Sequence, residues 1–322
     1  MIFYLRRSMT WPGKLMVLLT GLIFPLLFSC SSRPPVPPPT PVDTLGAGWR
    51  KISLPELFFN DIFFINNNTG YVVGNGTIFK STDGGSNWQQ IHQSTSGIIN
   101  IAMGSESNVI FVGGGRLLYT KNGGSSFDSV TLIDLIEDAF FVNATTVYAV
   151  GQKVWKSTNA GSTWTKIYDL PASSTGHKSL QFLNEQYGWL ACKNGPYKTI
   201  NGGVTWEQKT VPDFNFSIGS VYFTDTDNGY VSDGRYISKT PNGGNTWSRV
   251  FTGGGYHYQD IHFISTNLGY TLDGNRIYKT TNAGSAWTKE VVLVNNTLID
   301  LHFTDASHGW ACGVNVVLKY QN

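Results

Sequence analysis

The chain has 322 residues, with 23 Lys and Arg against 21 Asp and Glu, and only 14% of its residues are charged. So sparse and balanced a charge excludes nucleic acid as a partner, because holding phosphates needs a basic surface. Aromatic residues make up 14% and glycines number 36, a composition of short strands and turns.

Residues 1–14 carry Arg6, Arg7 and Lys14 and no acid, and residues 15–28 are an almost unbroken apolar run. This predicts a secretory signal over residues 1–29, with an apolar run too short to span a bilayer. It ends in Leu27-Phe28-Ser29-Cys30, which resembles the lipobox of bacterial lipoproteins. The resemblance implies that Cys30 is acylated and becomes the mature N-terminus, a lipid anchor at the bacterial cell envelope. Phe28 is bulkier than that pattern usually carries. Ser31, in place of the Asp that holds some lipoproteins at the inner membrane, points to the outer membrane. Without the signal, 20 basic and 21 acidic residues remain. Residues 30–45 contain Pro34, Pro35, Pro37, Pro38, Pro39 and Pro41, so they form a semi-rigid extended spacer.

Residues 46–322 repeat. Segments 81–88, 120–127, 157–164, 199–206, 240–247 and 280–287 share one form: hydroxyl, any residue, Asp or Asn, Gly or Ala, Gly, two variable residues, aromatic. Their aromatic residues lie 39, 37, 42, 41 and 40 apart, and Trp49 precedes the first by 39. Within each unit a strand such as 61–65 is followed by a polar turn, a Gly-aromatic strand such as 70–74, a third strand, the motif and a fourth strand. A period near forty with this content predicts an all-β, seven-bladed β-propeller of four-stranded antiparallel blades. After Trp287 the chain has room for three strands of a last blade, so residues 49–54 are expected to complete it and close the ring. That closure hides the edges an open ring would expose. The closed ring is expected to be a monomer.

The eight-residue motif resembles the Asp-box, or bacterial neuraminidase repeat. Asp83, Asn122, Asn159, Asn201, Asn242 and Asn282 are expected to be structural, each accepting hydrogen bonds from backbone N–H groups of its own turn. The whole unit resembles the photosystem II stability/assembly-factor propellers, over residues 46–322. That resemblance implies a scaffold or chaperone-like role with a protein partner.

If strands alternate in direction, the links between blades share one end of the ring with the second-to-third strand turns, and the motifs share the other. Variable loops on a rigid scaffold are where binding usually resides. The expected binding face is therefore the link end, with Phe214, Phe216, Tyr256, His257 and Tyr258 on links and Arg116, Lys153, Arg235 and Arg276 on matching turns. Asp61, Asp138, Asp260 and Asp300, with Asn100, Ser179 and Ser220, form a polar column at the channel mouth, read as repeated hydrogen bonding. His262 and His302 hold equal positions in adjacent blades, but sequence spacing does not bring them to ligand distance of one metal ion, so no metal site is assigned. Cys192 and Cys312 fall in opposite blades and are expected to be buried thiols.

Sialidases share the motif, which makes a glycoside hydrolase the alternative. Such enzymes need two carboxylates in unlike environments, and the glutamates and arginines here show no set apart from the repeat. A non-catalytic chain without cofactor is the expectation, with glycan binding through link aromatics as the other alternative.

Overall fold

Within each unit the innermost strand alternates in burial: Ile62 and Phe64 are buried between blades while Phe63 turns to the axis. Period-two alternation of this kind fixes which face of a strand meets its neighbour. The computed structural model describes residues 43–55, 58–113, 115–174, 179–212, 219–254 and 260–322, and among these there is no helix. Cys30, Phe214, Phe216, Tyr256, His257 and Tyr258 lie outside the described residues.

Seven antiparallel sheets form the ring. Blade 1 comprises Asp61–Phe64, Gly70–Gly74, Thr77–Ser81 and Gln89–Gln93. Blades 2 to 6 begin with Asn100–Met103, Asp138–Phe141, Ser179–Phe182, Val221–Phe223 and Ile261–Phe263, and each adds three further strands in sequence order. Blade 7 takes Leu298–Asp305, His308–Gly313 and Val316–Gln321 from the end of the chain, and its outer strand, Trp49–Ile52, from the beginning. Trp49 lies opposite Tyr320 and Ile52 opposite Val317. The expected closure is the observed one, with pairing that stops at residue 52.

Pairing also starts upstream of that strand. Thr44–Leu45 adds a fifth strand to the outer edge of blade 6, opposite Val292 and Val291. Asp43 accepts a hydrogen bond from Val294 N–H at 2.7 Å and is bridged to Lys51. The chain thus straps the outer edges of blades 6 and 7 together. Gly48 makes the turn between the two strands at φ 87°, against Tyr320, where a Cβ has no room.

Five blade junctions are joined by aromatic stacking at mid-radius. The second-strand aromatic of one blade lies flat on the innermost-strand Phe of the next: Tyr148 on Phe182 at 3.9 Å, Trp189 on Phe223 at 3.8 Å, Tyr230 on Phe263 at 4.1 Å, Tyr270 on Phe303 at 4.0 Å and Trp310 on Phe64 at 3.6 Å. Each Phe also covers a glycine of its own blade; an added Cβ at Gly70, Gly188, Gly229, Gly269 or Gly309 would fall within 2.6 Å of the ring. The recurring Gly-aromatic pair is explained by this sandwich. The glycine lets the Phe lie close, and the following residue's ring stacks on the next blade. Cys192 and Cys312 are buried in the second strands of blades 4 and 7.

Candidate functional site

The two ends of the ring are built differently. At one end the motif joins the third strand to the fourth. Asp83 Oδ1 accepts from Ser86 N–H at 3.0 Å and Asn87 N–H at 2.8 Å, and Ser81 Oγ donates to it at 2.9 Å. Asn122, Asn159, Asn201, Asn242 and Asn282 each accept from the N–H four residues on, at 2.8–3.0 Å. The Trp of four motifs, at 88, 164, 206 and 247, donates Nε1–H back to the motif glycine's carbonyl. Lysines that the repeat reading passed over complete this end. Lys80 and Lys239 each lie over a tyrosine of their own blade and donate to a carbonyl in the next blade's motif, at 2.7 and 3.0 Å. The motif end is occupied by its own hydrogen bonds.

At the other end the links converge on the channel mouth, a cavity of about 350 Å³ lined by Asp61, Asp138, Asp260, Asp300, Glu137 and the apolar Phe58, Ile99 and Ile299. The polar column joins blade to blade. Asp61 accepts from Ile101 N–H at 2.6 Å, Asn100 from Ala139 N–H at 3.3 Å, Asp138 from Leu180 N–H at 2.7 Å and Ser179 from Val221 N–H at 3.2 Å. Asp260 accepts from Leu301 N–H at 3.4 Å and Asp300 from Ile62 N–H at 3.0 Å, which crosses the seam between blades 7 and 1. In the remaining junction the Ser220 side chain meets the Asp260 carboxylate. The strand-start N–H of a blade is an orphan donor at a junction, and its neighbour's side chain satisfies it.

Three of these carboxyls are contiguous. Burial pushes Asp61 and Asp260 up to about 6. Asp300 sits between them; burial and the two flanking carboxylates raise it well above the usual range, and it shares a hydrogen bond with Asp61. Deeper in the channel His262 and His302 are neighbours, with ring centroids 4.9 Å apart. This corrects the expectation from spacing: the innermost strands converge on the axis, so equal positions in adjacent blades touch. Both imidazoles bond to a backbone group of the next blade, at Phe303 and Phe64, and burial holds His262 down to about 4 and His302 well below its ordinary value. Among the described residues no group of three His, Cys, Asp or Glu is arranged to hold a metal ion.

The four turn cations do not form one cluster. Arg116 and Arg235 are exposed. Arg276 is 3.6 Å from the buried Asp273 carboxylate, and Lys153 donates to the Ile133 carbonyl at 3.1 Å. Their shared turn position was legible in the repeat, whereas Ile133 and Leu135, the most exposed large apolar side chains among the described residues, were missed. Their signal was two aliphatic residues flanking Asp134 in a link.

The profile of the family described as photosynthesis system II assembly factor YCF48 matches residues 43–165 and 156–294. No curated protein sequence matches significantly. Among solved structures, YCF48 from Cyanidioschyzon merolae superposes with a TM-score of 0.71 at 18% identity, covering 85% of this chain and 99% of that one. A structure of YCF48 bound to D1 peptide gives 0.70 at 17%, covering 87% and 98%. Virginiamycin B lyase from Staphylococcus aureus gives 0.70 at 10%, covering 85% and 98%, a likeness of fold alone. With seven blades in place and most of its repeats matched, the chain belongs to the YCF48 photosynthesis system II assembly factor family.

Proposed function

We propose that this chain is a non-catalytic binding module that holds a protein partner on the link end of its propeller, in an assembly or scaffold role, and that lipid on Cys30 tethers it to the bacterial cell envelope. The observation that carries the reading is the asymmetry of the ring. The polar groups of the motif end are taken up by its own hydrogen bonds, although Ile200 and Val204 are exposed in one motif, while the link end opens on the channel-mouth cavity and presents exposed Arg116 next to the link that carries exposed Ile133 and Leu135. A family relative of the same fold, YCF48, has been solved with a D1 peptide bound, which supports a polypeptide as the class of ligand. The enzyme reading finds less support. Four of the five carboxyls lining the cavity, Asp61, Asp138, Asp260 and Asp300, accept from backbone N–H groups of neighbouring blades, whereas a glycosidase needs one carboxyl free as acid and another free as base or nucleophile.

The test is capture from detergent-solubilised membranes by the full-length protein, set beside a glycan array and a fluorogenic glycoside panel. Arg116→Ala, Arg235→Ala and Arg276→Ala together are expected to lower specific capture about tenfold or more, with no glycoside cleaved. Undiminished capture by the triple variant, or turnover of any glycoside, would overturn the reading.

A further inference from the structure

The link from blade 2 to blade 3 is held in one conformation that turns apolar side chains outward. Asp134, at its centre, points inward and accepts from Gln152 N–H at 2.9 Å, Lys153 N–H at 2.8 Å and Trp155 Nε1–H at 3.2 Å. Gly151 lets the link lie against the turn below it, since a Cβ there would come 2.4 Å from the Leu135 carbonyl oxygen. Leu132 and Ile136 pack into the core on either side of the bend. With residues 132, 134 and 136 turned in, 133 and 135 are forced out: Ile133 is 87% exposed and Leu135 68%. A loosely held loop could fold such side chains under itself; this one is pinned, so they remain presented to solvent.

Basic side chains flank the outer part of this ridge. Val130 pairs with Leu117, so the next step of the register sets Arg116 beside the start of the link. Among the described residues no carboxylate lies within ion-pair distance of Arg116. Lys153 reaches the Ile133 carbonyl from the other side, and its cross-strand neighbour Asp169 is bridged to Lys166 instead. Acidic Glu137 and Asp138 stand only at the inner end of the link, on the channel mouth.

We propose that Ile133 and Leu135 form a docking ridge for an extended segment of a protein partner that carries apolar side chains followed, toward the outside of the ring, by carboxylates that meet Arg116 and Lys153. This deepens the reading of the link end as a protein-binding face and rests on it. It also narrows the face to one sector, blades 2 and 3, away from Arg235 and Arg276. The ligand's apolar groups would cover the ridge, and its acids could not be moved to the inner end without facing Glu137 and Asp138.

The test uses full-length protein in detergent and a fluorescent peptide of about a dozen residues with two leucines at alternate positions and a run of glutamates on one side. Two control peptides replace its glutamates by lysine or its leucines by serine. The acidic apolar peptide is expected to bind and the controls to bind at least about tenfold more weakly. The variant Ile133→Ser/Leu135→Ser, whose two sites are solvent-exposed and whose melting curve should match the parent's, is expected to lose the peptide to the same degree, and Arg116→Glu to lose it in a salt-dependent way. If the peptide fails to bind, or binds the serine variant as tightly, the proposal is overturned. Loss in Arg235→Ala/Arg276→Ala alone would overturn the ridge while leaving the link-end reading standing, and absence of any link-end effect on membrane capture would remove both. Self-association or vesicle flotation abolished by the serine variant would make the occupant a second copy or a lipid surface, and would equally overturn it.

Discussion

Asp83 and Asn87 exchange chemical roles with their counterparts in the other motifs. Asp83 can only accept, and Asn87 Nδ2 donates to it at 2.6 Å; where the motif residue is Asn, as at 122, 159, 201 and 242, its amide donates to a Ser or Thr hydroxyl four residues on, at 2.8–2.9 Å. Hydrogen bonds from Asn87 hold the Asp83 carboxyl down to about 2. The buried carboxyls at the channel mouth behave oppositely. Asp61, Asp260 and Asp300 have raised values, so what they contribute to stability is complete below about 4 and is lost as pH rises through about 6 and beyond. His262 and His302 are lowered, so their contribution is present above about 6.5 and is lost as pH falls toward 4. The two sets therefore act in opposite directions as pH changes. Asp300→Asn keeps an acceptor for Ile62 N–H and offers a donor to Asp61. It is expected to be more stable than the parent at pH 7.5, with the gain vanishing near pH 4. Denaturant melts of both proteins across that range check this, and a variant less stable than the parent at pH 7.5 would mean that the native site requires the carboxylate.

The blade is set by a sandwich of glycine, Phe and aromatic ring, and its tolerance is testable at single positions. A Cβ at Gly309 would lie 2.2 Å from the Phe303 ring, whereas one at Gly97 would meet nothing within 4 Å. Gly309→Ala is therefore expected to cost about 1–3 kcal/mol through overpacking, and Gly97→Ala to be neutral or slightly stabilising; equal losses in thermal unfolding would contradict the sandwich. Much of the blade was legible in the chain, because the motif recurs six times, the Gly-aromatic pair in blades 1 and 4 to 7, and the innermost Phe in every blade but the second, all near a forty-residue period. Which ring meets which was not, since the partner of Tyr230 is Phe263 in the next blade, and periodicity shows equal residues without their contacts. For the same reason spacing kept His262 and His302 apart although they touch. The docking ridge escaped because it occurs in one link and repeats nowhere. The repeat places the four cations at matching second-to-third strand turns, where Arg116, Lys153 and Arg276 open third strands and Arg235 precedes one, yet the ion pair of Arg276 with Asp273 and the carbonyl contact of Lys153 depend on local side-chain geometry that no repeat encodes.

At the scale of the whole ring, stability depends on a strand from the far end of the sequence. Trp49 is buried against Phe303 and Tyr320, with centroids at 5.9 and 5.2 Å, and Gly48 and Asp43 fix the approach to it. Trp49→Ala is expected to cost about 3–5 kcal/mol and to expose the edge of blade 7, so that aggregation rises along with the loss in denaturant midpoint. A variant as stable and as monodisperse as the parent would mean that the ring holds without its clasp. Closure gives the molecule two unlike ends, one sealed by motif hydrogen bonds and one open, and the functional account depends on partners using the open one. The direct measurement is photocrosslinking in native membranes from a benzophenone side chain placed at exposed Thr131, in the link from blade 2 to blade 3, or at Val204 on the motif end. A discrete crosslinked partner band is expected from position 131 and none from 204; a band from 204 with silence at 131 would contradict a partner on the link end.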